Sequence, residues 1–265
     1  MKLFGFCKGI QKLNLDDVTY SDMYQGYFAK FYDNLVANDD FDLDIYEGLF
    51  QKENNKILEL ACGSGRILIP LLDKGYDITG VDLSEDMLDI LEKKCHMKNL
   101  NPILFKDDMC NFNNGIKYDT IILSHISISL LNSKLQEELF YNISNHLLKE
   151  GGIFIFNFTD FSRKLMKSGE LKPHYYFNNR NQSFAILFEQ VNLELKKVLV
   201  NLYSEKTETG NVKRYIGTSC KNIIDKNEIN CFIKALSLNL INEKCVETTE
   251  GFIRFYVLQK MSSEK

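Results

Sequence analysis

Residues 56–66, KILELACGSGR, constrain this chain more than any other stretch. A short apolar run without helical period leads into Gly63 and Gly65, and an apolar repeat through Ile67, Leu68, Leu71 and Leu72 follows. This is the pattern of a strand, a tight turn and a helix. Neither glycine carries a Cβ, so the backbone can turn sharply there and a small ligand can lie against it. The next strand, Asp77 to Val81, runs into Asp82. A carboxylate closing that second strand can accept both hydroxyls of a ribose.

The glycine spacing separates two classes of cofactor. A dinucleotide site takes a third glycine, in GxGxxG, to pack helix against strand beneath a pyrophosphate. Leu68 holds that position here, and Glu59 ahead of the turn suits a ligand carrying an amino group. The block ELACGSGR, followed by VDLSEDML, resembles the first two motifs of the class I S-adenosylmethionine-dependent methyltransferases. The resemblance spans about residues 20–160 and 220–260. It implies a Rossmann-like α/β fold: a seven-stranded, mostly parallel sheet with helices on both faces and an antiparallel last strand pair. It also implies S-adenosylmethionine as methyl donor and S-adenosylhomocysteine as product. The cofactor contacts along the turn are then Glu59, Ala61, Cys62, Gly63, Gly65 and Arg66, with Asp82 on the ribose. Leu83 and Met87 would border the adenine.

From Ser21, the sequence SDMYQGYFAKFYDNL places Tyr24, Tyr27, Phe28 and Phe31 at helical spacing, with Ser21 as cap. A core-packing helix accounts for the stripe itself. The tyrosine-rich YQGYFAKFYD also resembles the N-terminal segment of small-molecule methyltransferases related to glycine N-methyltransferase and the aminosugar N-methyltransferases. By that resemblance Tyr24 and Tyr32 close over the cofactor and face the substrate, with Tyr27 as a substitute for either. A second amphipathic stretch, Asp42 to Phe50, leads to the first strand.

Ser84 can cap a helix running to about Met97. A third strand, Pro102 to Lys106, ends in Asp107-Asp108-Met109. A carboxylate there can accept the exocyclic adenine N–H; resemblance to the family's third motif favours Asp108, with Asp107 as alternative and the Met109 backbone completing recognition. Taken alone, paired acids are equally well explained as solvated surface. A fourth strand from Tyr118 emerges at Ser124 and His125. In open parallel sheets ligands bind beyond the carboxyl ends of strands, near the switch in strand order. Ser124 is therefore counted with the cofactor contacts. His125 is the one of four histidines at such a strand end, and it can take a proton from a substrate amine or hydroxyl. A histidine bonded to neighbouring backbone is the competing reading.

Asn132 or Ser133 starts a helix running to about Leu148, with Lys149 and Gly151 as its closing signals. Gly152 to Phe158 is a fifth buried strand, and Asn157 and Asp160 at its carboxyl end are substrate-side candidates. The β/α alternation breaks after Phe161. Segments Phe184–Val191, Lys197–Tyr203 and Val212–Ile216 alternate as an antiparallel meander. Relatives use such an insertion as a substrate lid or a subunit interface, so a homodimer through it is one expectation. His174 and Arg180 at its approach are candidate substrate contacts. A helix capped by Asp225 and two strands, Asn239–Glu247 and Phe252–Gln259, end the chain. The expected organisation is a helical cap over 1–50, a cofactor-binding core over 51–161 and 219–265, and the insert over 162–218.

Net charge is −4 and the sequence pI about 5.7, so no global field attracts polyphosphate. After the fourth strand stands SHIS, where a methylase of exocyclic base amines carries Asn/Asp-Pro-Pro-Tyr/Phe. Nucleic acid is therefore not the expected substrate. No run approaches the ~20 apolar residues of a membrane span, and the N-terminal MKLFGFCKGIQKL is too polar-interrupted for a signal peptide. A cytoplasmic location and no membrane partner are expected. Seven cysteines without CxxC pairs read as free thiols, with no metal site. The expected function is methylation of a small molecule, N-methylation of an amine, aminosugar or amino-acid-like acceptor over O-methylation. The alternatives are a non-catalytic cofactor-binding protein and a nicotinamide-dependent oxidoreductase, the latter opposed by Leu68.

Overall fold

The computed structural model describes residues 3–15, 17–36, 41–50, 52–161, 169, 171–178, 183–208, 210–248 and 251–262. In chain order the elements begin with α1 (Gly5–Lys12), β1 (Val18–Asp22), α2 (Gly26–Val36) and α3 (Leu43–Glu47). The first alternation follows: β2 (Lys56–Leu60), α4 (Leu68–Asp73), β3 (Asp77–Asp82), α5 (Glu85–Met97), β4 (Ile103–Lys106), β5 (Tyr118–Leu123), α6 (Ser133–Asn142) and β6 (Leu148–Thr159). Four strands come next, β7 (Leu171–Asn178), β8 (Ser183–Asn192), β9 (Lys197–Glu208) and β10 (Asn211–Asn222). The last elements are α7 (Lys226–Ala235), β11 (Leu238–Thr248) and β12 (Gly251–Lys260). No described helix is long and apolar enough to cross a membrane.

The chain divides into two compact units, Asp33–Lys164 with Ile224–Lys265, and Met1–Tyr32 with Leu165–Ile223. The larger unit holds a seven-stranded sheet of order β11-β12-β6-β5-β2-β3-β4. Strands β6, β5, β2, β3 and β4 pair in parallel, and β12 runs antiparallel to both β6 and β11. The order reverses between β2 and β5, which places the switch point of the sheet there. Alternation along β2 sends Leu58 and Leu60 to one buried cluster and Ile57 to the other. On the first face, Phe154, Phe156 and Phe158 of β6 stack in series at 5.0 and 6.0 Å, with Phe140 of α6 edge-on at 5.5 Å. On the second face α3, α4 and α5 supply Tyr46, Leu68, Leu71 and Leu91. Leu68, which fills the place of a third glycine, packs toward Gly80 of β3: a Cβ at Gly80 would lie 2.5 Å from Leu68 Cδ1 and 2.9 Å from Cys62 Sγ.

Ser84 caps α5 by accepting from Met87 N at 3.3 Å, and Asn132 caps α6 by accepting from Leu135 N at 3.1 Å. Asp225 caps α7 through Asn227 N at 3.0 Å. The helix begun by α6 continues through a single π turn over Ile143–Leu147 and so ends near Leu148 as expected, but Leu148 already pairs with Tyr118, and Lys149 and Gly151 lie within β6 instead of closing the helix.

The smaller unit is a five-stranded sheet of order β1-β10-β9-β8-β7. Ser21 does not cap a helix: it lies in β1, paired in parallel with β10 opposite Gly217. This pairing explains why the first 32 residues fold with the inserted strands rather than as part of a separate helical cap over 1–50. Tyr27 stacks on Tyr215 at 4.0 Å, and the Phe28 ring lies where a Cβ at Gly217 would be, 2.8 Å from Phe28 Cδ2. Phe6 of α1 meets Tyr203 edge-on at 5.1 Å.

Replacing Gly80 with alanine is expected to lower unfolding free energy by about 1–3 kcal/mol through overpacking against Leu68 and Cys62. Urea denaturation monitored by circular dichroism measures it.

Candidate active site

The turn after β2 is held in a left-handed backbone that its sequence anticipates: φ is +52° at Ala61, +52° at Gly63 and +85° at Gly65. Two hydrogen bonds fix it, Cys62 N to Val81 O and Gly65 N to Cys62 O, both 3.0 Å. The third is the one that joins the motifs. Asp82, at the end of β3, accepts from Gly63 N at 2.8 Å through Oδ2 and from Ser84 N at 2.8 Å through Oδ1. Burial pushes the Asp82 carboxyl above its ordinary value while the backbone N–H groups of Ser84 and Gly63 pull it back. These backbone donors do not exhaust the four acceptor sites of the two oxygens. A Cβ at Gly65 would collide with Ile69 and Leu91 at 2.7 and 2.8 Å, whereas one at Gly63 would meet nothing within 4 Å. The first glycine therefore faces open space and the second faces the core.

Glu59 of β2 is buried on the α3–α5 face. Its Oε1 accepts from Ser124 Oγ at 3.1 Å, and its Oε2 accepts no hydrogen bond among the described residues. Burial pushes its carboxyl to about 8, opposed by Arg66 and by the Ser124 hydroxyl, with Asp42 and Asp82 adding to the rise. An orphaned buried carboxylate oxygen costs free energy unless a cationic ligand donates to it. Arg66 is not a free cofactor contact. Its guanidinium forks onto Asp42, Nη1 to Oδ1 at 2.5 Å and Nη2 to Oδ2 at 2.9 Å, and Asp42 is wholly buried. Tyr46 of α3 is buried beside this pair. Neither Asp42 nor Tyr46 is legible as a site residue in the sequence. The one signal is an arginine directly after the turn, in a position that burial would force to find an acid.

Asn157 and Asp160 are committed to the protein itself. Asn157 is fully buried; its Oδ1 accepts from Ile126 N at 2.6 Å and its Nδ2 donates to the Tyr46 hydroxyl at 3.2 Å. Asp160 is buried in an ion pair with Arg254, which donates from Nε at 2.9 Å and also from Nη2. His125 and Ile126 adopt φ of +52° and +55° immediately after β5, so this strand leaves the sheet through a strained double turn that Asn157 braces. Asp107 and Asp108 fold onto their own backbone, Asp107 Oδ1 accepting from Asp108 N at 2.7 Å and Asp108 Oδ1 from Cys110 N at 2.9 Å. Asp107 N donates to Asp82 O at 3.1 Å, which sets this acidic turn with Met109 next to the β3 end. Met87 is buried under that end and Leu83 beside it is 69% exposed. Cys62 is a buried thiol whose acidity burial suppresses.

In the smaller unit Tyr24 and Tyr32 meet edge-on at 5.1 Å. Tyr27 is a packing residue, its hydroxyl 2.8 Å from Ser204 Oγ. His174 lies half-buried in β7 opposite Leu187. Arg180 lies outside the described residues.

Residues 57–152, from β2 to the start of β6, match the family model of a methyltransferase domain. Over these residues the chain carries a methyltransferase domain, and its fold is that of S-adenosylmethionine-dependent methyltransferases. YqeM of Bacillus subtilis (strain 168), a relative whose own methyltransferase name is provisional, is 29% identical over 63% of this chain, and the match spans 66% of that relative's length. An S-adenosylmethionine-dependent methyltransferase from Clostridium acetobutylicum aligns at 25% identity over 89% of this chain and 98% of its own, with a TM-score of 0.71. The sugar N-methyltransferase KedS8 from Streptoalloteichus shares the fold at 13% identity over 92% and 96% of the two chains, TM-score 0.72. The methyltransferase domain fits its family's cofactor on its own geometry: an orphaned carboxylate oxygen at Glu59, open space at Gly63, and Asp82 with spare acceptor capacity.

Replacing Asp82 with alanine should weaken S-adenosylhomocysteine binding by about tenfold or more, the loss of a charge-assisted hydrogen bond, and calorimetric titration reads it directly. Unchanged affinity removes Asp82 from the site. Glu59 makes a second, pH-dependent expectation. Its folded-state acidity is weakened to about 8 from 4.5, so the stability this group contributes to the free protein is full below the unfolded value and is lost as pH rises through about 8. Melting temperatures of wild type and Glu59→Gln between pH 5 and 9 should show the variant's smaller decline.

Proposed function

We propose that this chain methylates the nitrogen of a small-molecule amine, of the aminosugar or amino-acid type. The supporting observation is the wall beyond β5. Between Asp119 and Lys134 the one ionisable side chain is His125, and it sits on the strained turn at the sheet's switch point. A neutral amine already carries its nucleophilic lone pair and needs only a proton acceptor of moderate strength, whereas a hydroxyl needs a stronger base. When bound, the cofactor supplies a methyl group on a sulfonium, already activated for displacement.

The chain's residues then bind and orient. Glu59 receives the ammonium of the methionine end, the Ala61 and Gly63 backbone lies along it, and Asp82 holds the ribose. Asp108 and Met109 read the adenine, with Leu83 and Met87 bordering it. His125 accepts the proton released from the acceptor's ammonium form. The fold shared with KedS8, a sugar N-methyltransferase, supports an acceptor of that class.

The test is transfer of labelled methyl from S-adenosylmethionine to aminosugars and amino acids, each paired with its hydroxyl counterpart. Label is expected on the amines; label confined to the hydroxyl compounds reverses the assignment. His125→Ala is expected to slow turnover by roughly 100-fold, at the low end of general acid–base catalysis, with S-adenosylhomocysteine affinity retained. An undiminished rate returns His125 to a structural role.

A further inference from the structure

Glu59 and Arg66 stand seven residues apart at the two ends of the cofactor turn, a buried acid and a guanidinium left 11% exposed. Such a pair would ordinarily close into an ion pair and leave nothing for a ligand. It does not close, because both Arg66 Nη atoms are held by Asp42, a fully buried acid from the segment ahead of α3. The buried Tyr46 lies beside Asp42, and its hydroxyl accepts from Asn157 Nδ2 at 3.2 Å. The Glu59 Oε2 atom is left without a donor among the described residues.

Building on the methyl-transfer reading, we infer that Asp42 is a positioning residue for cofactor selection: it sequesters Arg66 so that Glu59 is reserved for the ammonium group of the ligand's amino-acid end. The groups acting on Glu59 support this balance. Arg66 from the turn favours its charge, Ser124 from β5 donates to it, and Asp42 and Asp82 oppose its charge. With Arg66 neutralised by Asp42, Glu59 stays protonated in the free protein at neutral pH and ionises when a cationic partner arrives. Binding at pH 7 therefore releases about one proton to the buffer. Without the Asp42 charge, Arg66 would swing its field onto Glu59, ionise it in advance and compete with the ligand.

The experiment uses the full chain and two ligands, S-adenosylhomocysteine and 5′-methylthioadenosine, which keeps the nucleoside and lacks the amino-acid end. Calorimetry in buffers of different ionisation enthalpy counts the protons. Wild type should prefer S-adenosylhomocysteine and release its proton; no binding of either ligand overturns the methyl-transfer reading itself. Asp42→Asn should lose about tenfold in S-adenosylhomocysteine affinity, a single charge contact, together with the proton release, while methylthioadenosine binds as before. Asp42→Asn/Arg66→Met, which removes the competing cation as well, should regain both the preference and the proton. The inference is overturned if Asp42→Asn leaves affinity and proton count unchanged, if both ligands weaken equally, or if the double variant does not recover. Should Asp42→Asn fail to fold, the double variant decides alone: retained preference with proton release supports the inference, and loss of either overturns it.

Discussion

The hydrogen bond from Gly63 N to the Asp82 carboxylate is the constraint on which the larger unit depends. It ties the end of one strand to the turn leaving its neighbour, across a parallel pair whose register is set by Leu60 opposite Val81. Of the three left-handed residues in this turn, Ala61 carries the cost, since Gly63 and Gly65 adopt that backbone freely. Here a charged acceptor, itself pinned by Ser84 at the start of α5, defines where each amide must point. The α4 and α5 helices inherit their positions from the same contact, since Leu68 and Leu91 pack directly behind Gly80 and Gly65.

Beneath the turn lies an arrangement that a stability argument alone would not produce. Burying Asp42, Arg66 and Glu59 together costs desolvation that a forked ion pair offsets only in part, and apolar residues of equal size commonly serve a core as well. Losing one member of such a pair costs about 3–5 kcal/mol, so the cluster is held in place once formed. An odd acid in a buried cluster, two carboxylates to one guanidinium, is instead what a site for a cation requires. The strain at His125 and Ile126 is held by the same surroundings: Asn157 braces the turn at Ile126 N and is itself tied to the Tyr46 hydroxyl.

Much of this was legible from residues alone. The glycine pair, the acids at consecutive strand ends and the Ser84, Asn132 and Asp225 caps are local signals, and local chemistry satisfies them. What the sequence hid was long-range. Asp42 and Arg66 are separated by 24 positions, and nothing in an acid-rich stretch distinguishes the one acid that will be buried. Asn157 and Asp160 have the right strand-end address for substrate contacts, yet partners brought from α3, the β5 turn and β12 claim their polar atoms. Ser21 carries a helix-cap signature that loses to strand pairing, because the parallel ladder with β10 runs over five paired residues and engages several backbone groups where a cap satisfies one amide.

That ladder bears on inheritance. The first 32 residues and the stretch from Leu165 to Ile223 are far apart in sequence but form one unit, joined by β1 against β10, Tyr27 on Tyr215, and the Phe28 ring seated where Gly217 lacks a side chain. Neither stretch is a module by itself. A lineage exchanging its inserted strands for another set would expose the bare flank of β10 unless it replaced the leading segment at the same time. Recombination within this part of the chain must therefore act on two distant pieces as a single cassette, with the glycine and the phenylalanine exchanged as a matched lock and key.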